Sequence, residues 1–239
     1  MIGAMRLRSM IILDPPSFAR RTHSWRRCAR AIAALAVVLL CAPAREAAAL
    51  DWAVGAEGGY FAMTNASRSA KAIFNGSSGG GTYGGFLQVG VGQSFFVSAH
   101  VRYFSRTGER VFVADPGAQV YRVGHPLKVR LVPVYAMVGW RFLPSSRWSP
   151  YIAIGGGATS YREESNVAGL VETLSKSKAA FHVALGVDFA LGAVSVGAEA
   201  MYSTVPNTIG ESGVSKVYGE KDVGGASIVA KLSFGSRRY

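Results

Sequence analysis

From Phe181 onward, large apolar residues take every second position: Phe181, Val183, Leu185, Val187, Phe189 and Leu191. Between them stand Ala180, His182, Ala184, Gly186, Asp188 and Ala190, all small or polar. Gly192-Ala193 reads as a turn, after which Val194, Val196, Ala198, Ala200 and Tyr202 alternate with Ser195, Gly197, Glu199 and Met201. A period of two over this length predicts two extended strands, each with one apolar and one polar face.

Six further stretches repeat the pattern, which makes eight strands in all. Residues 51–63 set Trp52, Val54, Ala56 and Tyr60 against Asp51, Gly55 and Glu57. Residues 82–91 set Tyr83, Leu87, Val89 and Val91 against Thr82, Phe86 and Gln88. Residues 95–105 set Phe95, Val97, Ala99, Val101 and Tyr103 against Ser98, His100 and Arg102. Residues 127–142 carry Val132, Val134, Ala136, Val138, Trp140 and Phe142 on one face; Pro133 cannot donate to a ladder, so a bulge or phase shift is expected there. Residues 150–162 are ambiguous, since Ile152 and Ile154 favour one face outward and Tyr151 and Tyr161 the other. Residues 227–234 set Ile228, Ala230, Leu232 and Phe234 against Val229, Lys231 and Ser233.

The connections alternate in length. Residues 92–94, 143–149 and 192–193 are short, whereas 64–81, 106–126, 163–178 and 204–225 are long and rich in Gly, Ser, Asn and charge. Short turns force antiparallel neighbours, and strict alternation gathers the long loops at one end, as in outer-membrane barrels.

Three features turn the apolar face toward lipid. On the six cleanly alternating strands it carries no Lys, Arg, Asp, Glu or His; a central Arg or Lys there would cost roughly 2–4 kcal/mol in a bilayer. Aromatic residues bracket the face, with Trp52, Phe95, Trp140, Trp148, Phe189 and Phe234 toward the short turns and Tyr60, Tyr83, Tyr103, Phe181 and Tyr202 toward the long loops. Eight or nine residues between brackets, at ~3.3 Å and a tilt of ~40°, span roughly 20–23 Å, near the ~25 Å apolar band of such barrels. The alternative is a secreted soluble barrel with the apolar face inward, which leaves the brackets and the missing charge without a reason.

Composition changes this picture little. The chain is 49% hydrophobic and 17% charged, yet no apolar run outside the N-terminus is long enough for a helical span. Residues 1–49 read as a signal peptide: Arg20, Arg21, Arg26, Arg27 and Arg30 precede the apolar run 31–40, and cleavage is expected after Ala49 or after Ala44. Residues 50–239 then form the barrel domain. The leader holds 8 of the 26 Lys+Arg and 2 of the 14 Asp+Glu, so the net +12 falls to 18 − 12 = +6 afterwards; export accounts for half the charge, and nucleic acid is not an expected partner. Both cysteines, Cys28 and Cys41, lie in the leader, which excludes disulfides and thiolate metal sites from the remainder.

With the export leader, residues 150–157 (PYIAIGGG), Val132-Pro133-Val134 and the terminal strand 226–235, the chain resembles the small outer-membrane β-barrel family of OmpA, OmpX and OmpW-like proteins. The resemblance spans residues 50–239 and implies an eight-stranded, antiparallel, up-and-down transmembrane β-barrel in the bacterial outer membrane. Family members usually end on the aromatic of the last strand, whereas here Phe234 is followed by five more residues, so Tyr239 is expected to stand in.

The polar faces project Glu57, Gln88, His100, Glu199 and Lys231 to one level inside the barrel, with Arg102 above and Asp188 below. An eight-stranded interior is just wide enough for side chains to fill, so these residues are expected to pair into a plug with Lys231 as its central cation. No catalytic site, metal or cofactor is expected. His23, His100, His125 and His182 each lack a serine two residues further on, as a lipid A-modifying barrel enzyme of the His-x-Ser type would have, and His125 is placed in a loop. The expected role is structural or surface-interacting through the long loops of a monomer among outer-membrane lipid and lipopolysaccharide. The alternative is a narrow, porin-like channel for small or hydrophobic solutes, for which Phe86, Phe104 and Met201 would line an opening under the loops.

Overall fold

A sheet that meets hydrocarbon has no solvent to satisfy its edges, so its last strand must return to its first. The computed structural model, which describes residues 51–167 and 170–236, has that closure. Its strands are β1 (Trp52–Ala62), β2 (Gly79–Val91), β3 (Phe95–Phe112), β4 (Tyr121–Arg141), β5 (Trp148–Val167), β6 (Leu170–Leu191), β7 (Val194–Thr204) and β8 (Gly225–Ser236). Each pairs antiparallel with the next, and β8 pairs with β1. The expected signal peptide, its cleavage sites and Tyr239 lie outside the described residues.

The stagger of the ring can be read from cross-strand partners. From Trp52 they run through Val89, Val97, Val138, Ile154, Val183, Tyr202 and Ala226, and return to β1 at Ala62. The return point is 62 − 52 = 10 residues above the start, the stagger that tilted strands need in order to close. Every residue on that path is apolar and faces outward. The ambiguity of β5 is thereby resolved: Ile152 and Ile154 are exposed, while Tyr151 and Tyr161 are buried inside.

The bracketing aromatics pair on the outer wall. Phe95 meets Trp140 at 4.5 Å between ring centres, Trp148 meets Phe189 at 4.9 Å, and Trp52 meets Phe234 at 6.2 Å, all at the short-turn end. At the other end Tyr83 meets Tyr103 at 5.4 Å.

Three expectations need correction. Pro133 makes no bulge: pairing with β3 breaks at Val132 and Pro133 but resumes in register, with Val101 opposite Val134 and Phe104 opposite Leu131. A proline can omit one ladder bond without displacing its neighbours. The register shift lies instead between Glu109 and Val111. Next, most of 106–126 and 163–178 is strand, because β3 to β6 run on as two hairpins of 18 to 22 residues per strand. Alternation fades there because the outward side leaves lipid and turns polar, while Leu127, Val129, Leu131 and Tyr161 remain buried inward. His125 consequently sits in β4, not in a loop.

The other two long connections are loops that carry short helices. A 3-10 turn (Thr64–Ala66) leads into α1 (Ser67–Ile73), and α2 (Gly213–Tyr218) lies between β7 and β8. Position on the wall makes a strong contrast. Leu185→Arg, at a residue 64% exposed within the apolar band, is expected to cost roughly 2–4 kcal/mol and to abolish the gel-mobility difference between unboiled and boiled protein. Ser175→Arg, on the same face of β6 but above the band, is expected to retain it.

Candidate functional site: the polar lumen

Inward positions of neighbouring strands meet only if the residue between them is small. Gly84 of β2 is the partner of both Glu57 on β1 and Arg102 on β3, and its missing side chain opens the path between them. Arg102 spans it with a two-pronged bond, Nε to Glu57 Oε1 at 2.6 Å and Nη2 to Glu57 Oε2 at 2.9 Å. The same Nη2 donates to Glu199 Oε1 at 2.6 Å, and Nη1 to Ser227 Oγ at 3.3 Å. Planar bidentate pairing of this kind suits guanidinium far better than ammonium. Arg102 is therefore the central cation, and the expectation for Lys231 is wrong in that respect.

Lys231 is the direct partner of Glu57 across β8 and β1, but its ammonium turns away. It donates to the Tyr151 hydroxyl at 2.9 Å and lies 3.6 Å from Glu199 and 3.9 Å from Asp188. It also stands over the rings of Phe86 and Tyr151, at 4.6 and 4.9 Å. The Tyr151 hydroxyl donates in turn to Glu199 Oε2 at 2.7 Å, so Glu199 is held by Arg102 on one oxygen and by Tyr151 on the other. Gly186 makes room for this tyrosine, since a Cβ there would stand 2.5 Å from its ring.

An aromatic column crosses the lumen beside the ion pairs. Phe86 stacks on His100 at 5.4 Å, His100 on Tyr135 at 4.9 Å with the planes 2° apart, and Tyr135 on His182 at 4.2 Å. Of the seven residues expected to form the plug, Glu57, His100, Arg102, Asp188, Glu199 and Lys231 come together. Gln88 is buried, but its Nε2 has no hydrogen-bonding partner among the described residues. Tyr135 and Tyr151 were missed. The signal for both was phase: once Val134 and Ile152 face lipid, their neighbours must face in.

One arrangement within the plug has the form of a hydrolase triad. His100 Nε2 lies 3.0 Å from Ser98 Oγ, and His100 Nδ1 lies 3.4 Å from Glu57 Oε1. The serine precedes the histidine, so a search for serine two residues further on passes it by. Nucleophile, base and orienting acid are in hydrogen-bond reach, but all three are buried. Neither the cavity under the loops nor the cleft beside the loop helices is lined by Ser98 or His100. Among the described residues no group of His, Cys, Asp and Glu is placed to hold a metal ion.

Side chains meet across both ends of the lumen among the described residues. At the short-turn end Arg141 pairs with Asp51 at 2.8 Å and packs over Phe96 at 5.1 Å. At the other end Met63, Ala66, Ala70 and Phe74 from the first loop and Val205 and Val223 near the last meet Phe104, Val129, Leu131, Tyr161 and Ala180 of the wall in one apolar cluster. Carboxylates pin these loops together. Glu220 accepts from the backbone N–H of Arg68 and Ser69 at 3.0 and 2.9 Å, at the start of α1. Asp222 accepts from the N–H of Val205 and Gly224, from Asn65 Nδ2 and from the Thr204 hydroxyl.

The family model for the outer membrane protein beta-barrel domain matches residues 32–231. The chain belongs to that family. It is accordingly a bacterial outer-membrane protein that crosses the bilayer with β-strands. Among solved structures it is similar to a major outer membrane protein from Thermus thermophilus (12% identity, 78% of this chain and 100% of that one, TM-score 0.50). It is also similar to Neisserial surface protein A (15% identity, 78% and 96%, TM-score 0.46) and to the attachment invasion locus protein Ail of Yersinia pestis (12%, 78% and 96%, 0.43), crystallised with the heparin analogue sucrose octasulfate. At these identities the likeness speaks to fold alone. No relative was found among curated proteins.

Removing one partner of a buried, hydrogen-bonded ion pair strands the other, at a cost of about 3–5 kcal/mol. Arg102→Ala, which leaves both Glu57 and Glu199 without their guanidinium, is expected to lower stability by that amount in urea titrations of the folded protein in lipid vesicles. Lys231→Ala is expected to cost less, because Glu199 keeps Arg102 and Tyr151.

Proposed function

We propose that this barrel works from its surface: it presents loops and hairpin tips on the cell exterior, as a monomer among lipopolysaccharide, and conducts nothing through its interior. The observation that carries this reading is that side chains meet across the lumen at three heights, at Asp51–Arg141, at Glu57–Arg102–Glu199, and in the apolar cluster beneath α1. Above that cluster, β3 to β6 extend as exposed hairpins with Phe112, Tyr121, Leu170 and Val171 open to their surroundings. Large apolar residues in such a position favour contact with another molecule.

A narrow channel for hydrophobic solutes has one observation in its favour. Phe104 and Met201 do line a cavity under the loops, together with Phe61, Leu131 and Val205. That cavity holds about 40 Å³, well below the ~300 Å³ of an ordinary ligand pocket, and Arg102 forms its floor. Phe86 lies away from it, over Lys231.

In planar bilayers the refolded protein is expected to give no resolvable single-channel steps; steady, discrete conductance would establish the channel instead. The buried triad is likewise taken as structural. A fluorophosphonate probe is expected to leave Ser98 unlabelled in the folded barrel, and labelling that Ser98→Ala abolishes would make the protein a hydrolase.

A further inference from the structure

The outer wall of β4 and β5 breaks the pattern of the rest of the ring. Six strands carry an aromatic or Ile228 where the apolar band ends toward the loops: Tyr60, Tyr83, Tyr103, Phe181, Tyr202 and Ile228. With a stagger of ten residues over eight strands, the plane through those positions falls about one residue per strand relative to cross-strand partners. It crosses β4 near Val134 and β5 near Ala158, which are partners, and neither is aromatic. Above them the outward residues are Val132, Arg130 and Lys128 on β4, and Ser160, Arg162 and Glu164 on β5. Their inward neighbours Leu127, Val129, Leu131, Tyr161 and Ser165 are buried, which fixes the direction of the four charged side chains. At comparable heights the flanking strands show Thr107 and Glu109 on β3, the carboxylate already paired with Arg122 at 3.2 Å, and Ser175 and Ser177 on β6.

The cluster is built around a conflict. Arg130 and Arg162 face each other directly across β4 and β5, and Lys128 faces Glu164. Like charges opposite one another destabilise a sheet. Here a single carboxylate serves both: Arg130 Nη2 bonds Glu164 Oε2 at 2.9 Å, and Arg162 Nε bonds Glu164 Oε1 at 2.8 Å. Arg130 Nε, though buried, has no partner among the described residues. Three cations share one anion, with the side chains of Arg130 and Arg162 31% and 49% exposed. A net charge of about +2 remains, with guanidinium N–H donors beyond those that Glu164 takes up.

We infer that this patch is a binding site for the phosphate groups of lipopolysaccharide in the outer leaflet. The inference rests on the reading above that lipopolysaccharide surrounds the barrel, and it names where the contact is made. Charge and donor geometry ask for an oxyanion with several oxygens, as phosphate provides for arginine. Height distinguishes glycolipid from phospholipid. Arg130 and Arg162 stand four residues above Val134 and Ala158, and Lys128 and Glu164 six, which at ~3.3 Å per residue and ~40° tilt places the cluster roughly 10–15 Å above the aromatic level. An ordinary headgroup layer is about 5–7 Å deep on each side, so phospholipid phosphates lie beneath the cluster. A phosphorylated saccharide headgroup is thick enough to reach it.

The test compares affinities of the detergent-solubilised, folded barrel for lipopolysaccharide, for the same lipopolysaccharide stripped of phosphate, and for inorganic phosphate. The wild-type protein is expected to bind the intact glycolipid at least tenfold more tightly than the dephosphorylated one, and millimolar inorganic phosphate is expected not to compete. Arg130→Gln/Arg162→Gln should weaken intact glycolipid at least tenfold, and Glu164→Gln should tighten it by freeing both guanidinium groups. Arg110→Gln/Lys176→Gln, which removes two cations from the inner side of the hairpins, should change it less than twofold. Equal affinity for intact and dephosphorylated glycolipid in the wild type would overturn the assignment without use of any variant. So would unchanged binding by a folded Arg130→Gln/Arg162→Gln protein, or full competition by inorganic phosphate. Single-channel recordings are indifferent to these outcomes, so failure of this site and failure of the closed-lumen reading are distinguishable.

Discussion

The structure depends on one buried guanidinium. A ring of eight strands leaves an interior only wide enough for its own side chains, and in that space a charge without a partner is severely penalised. Arg102 resolves the problem for two carboxylates at once, tying β1 to β3 through Glu57 and both to β7 through Glu199. Tyr151 and Lys231 extend the bonds to β5 and β8. Ladder hydrogen bonds join only adjacent strands, whereas this network crosses the lumen and braces opposite walls. Whether such a network adds net stability over an apolar filling is a separate matter; once charged residues occupy these positions, mutual satisfaction determines which way each must point.

That brace also divides the molecule by chemistry. Beside and below it, Phe96, Tyr135, Met137, Tyr151, Ala153, Ala184 and Met201 pack as an apolar cluster within the barrel. Above it the interior becomes apolar again, and the loop helices sit on that surface instead of leaving it open. On the reading proposed above, the lumen serves folding. What remains free to interact is the outside: the tips of the extended hairpins, the cleft of about 250 Å³ between them and the loop helices, and the charged stretch of wall on β4 and β5.

Much of this was readable from residues alone, and the failures share a cause. Strands within the apolar band declare themselves because lipid and lumen impose opposite demands on successive side chains, as at Phe181 to Leu191. Outside the band the outer demand changes to water, so Lys128, Arg130 and Arg162 look like loop residues although β4 and β5 continue through them. Inside the lumen, level along the strand predicted which charges would gather but not which would pair. Register set Lys231 opposite Glu57, yet the fork geometry of Arg102 won that carboxylate across Gly84. Tyr151 and Tyr135 carry no formal charge and so give no such signal, yet in a narrow interior a hydroxyl on a large ring can bridge where a short acid does not reach. The triad-like contact of Ser98 with His100 shows the converse limit: spacing in sequence points to possible chemistry, and burial decides whether a substrate can arrive.

The most direct measurement of the central claim is a double-mutant cycle between Arg102 and Glu57, with unfolding free energies of wild type, Arg102→Ala, Glu57→Ala and the double variant determined in lipid vesicles. If the guanidinium braces the lumen, the pair couples by about 1.5 kcal/mol or more, within the range of interacting buried charges, and the double variant is more stable than the sum of the single losses requires. Additive losses, with coupling near zero, would mean that the two side chains fill space independently and that closure of this barrel has another origin.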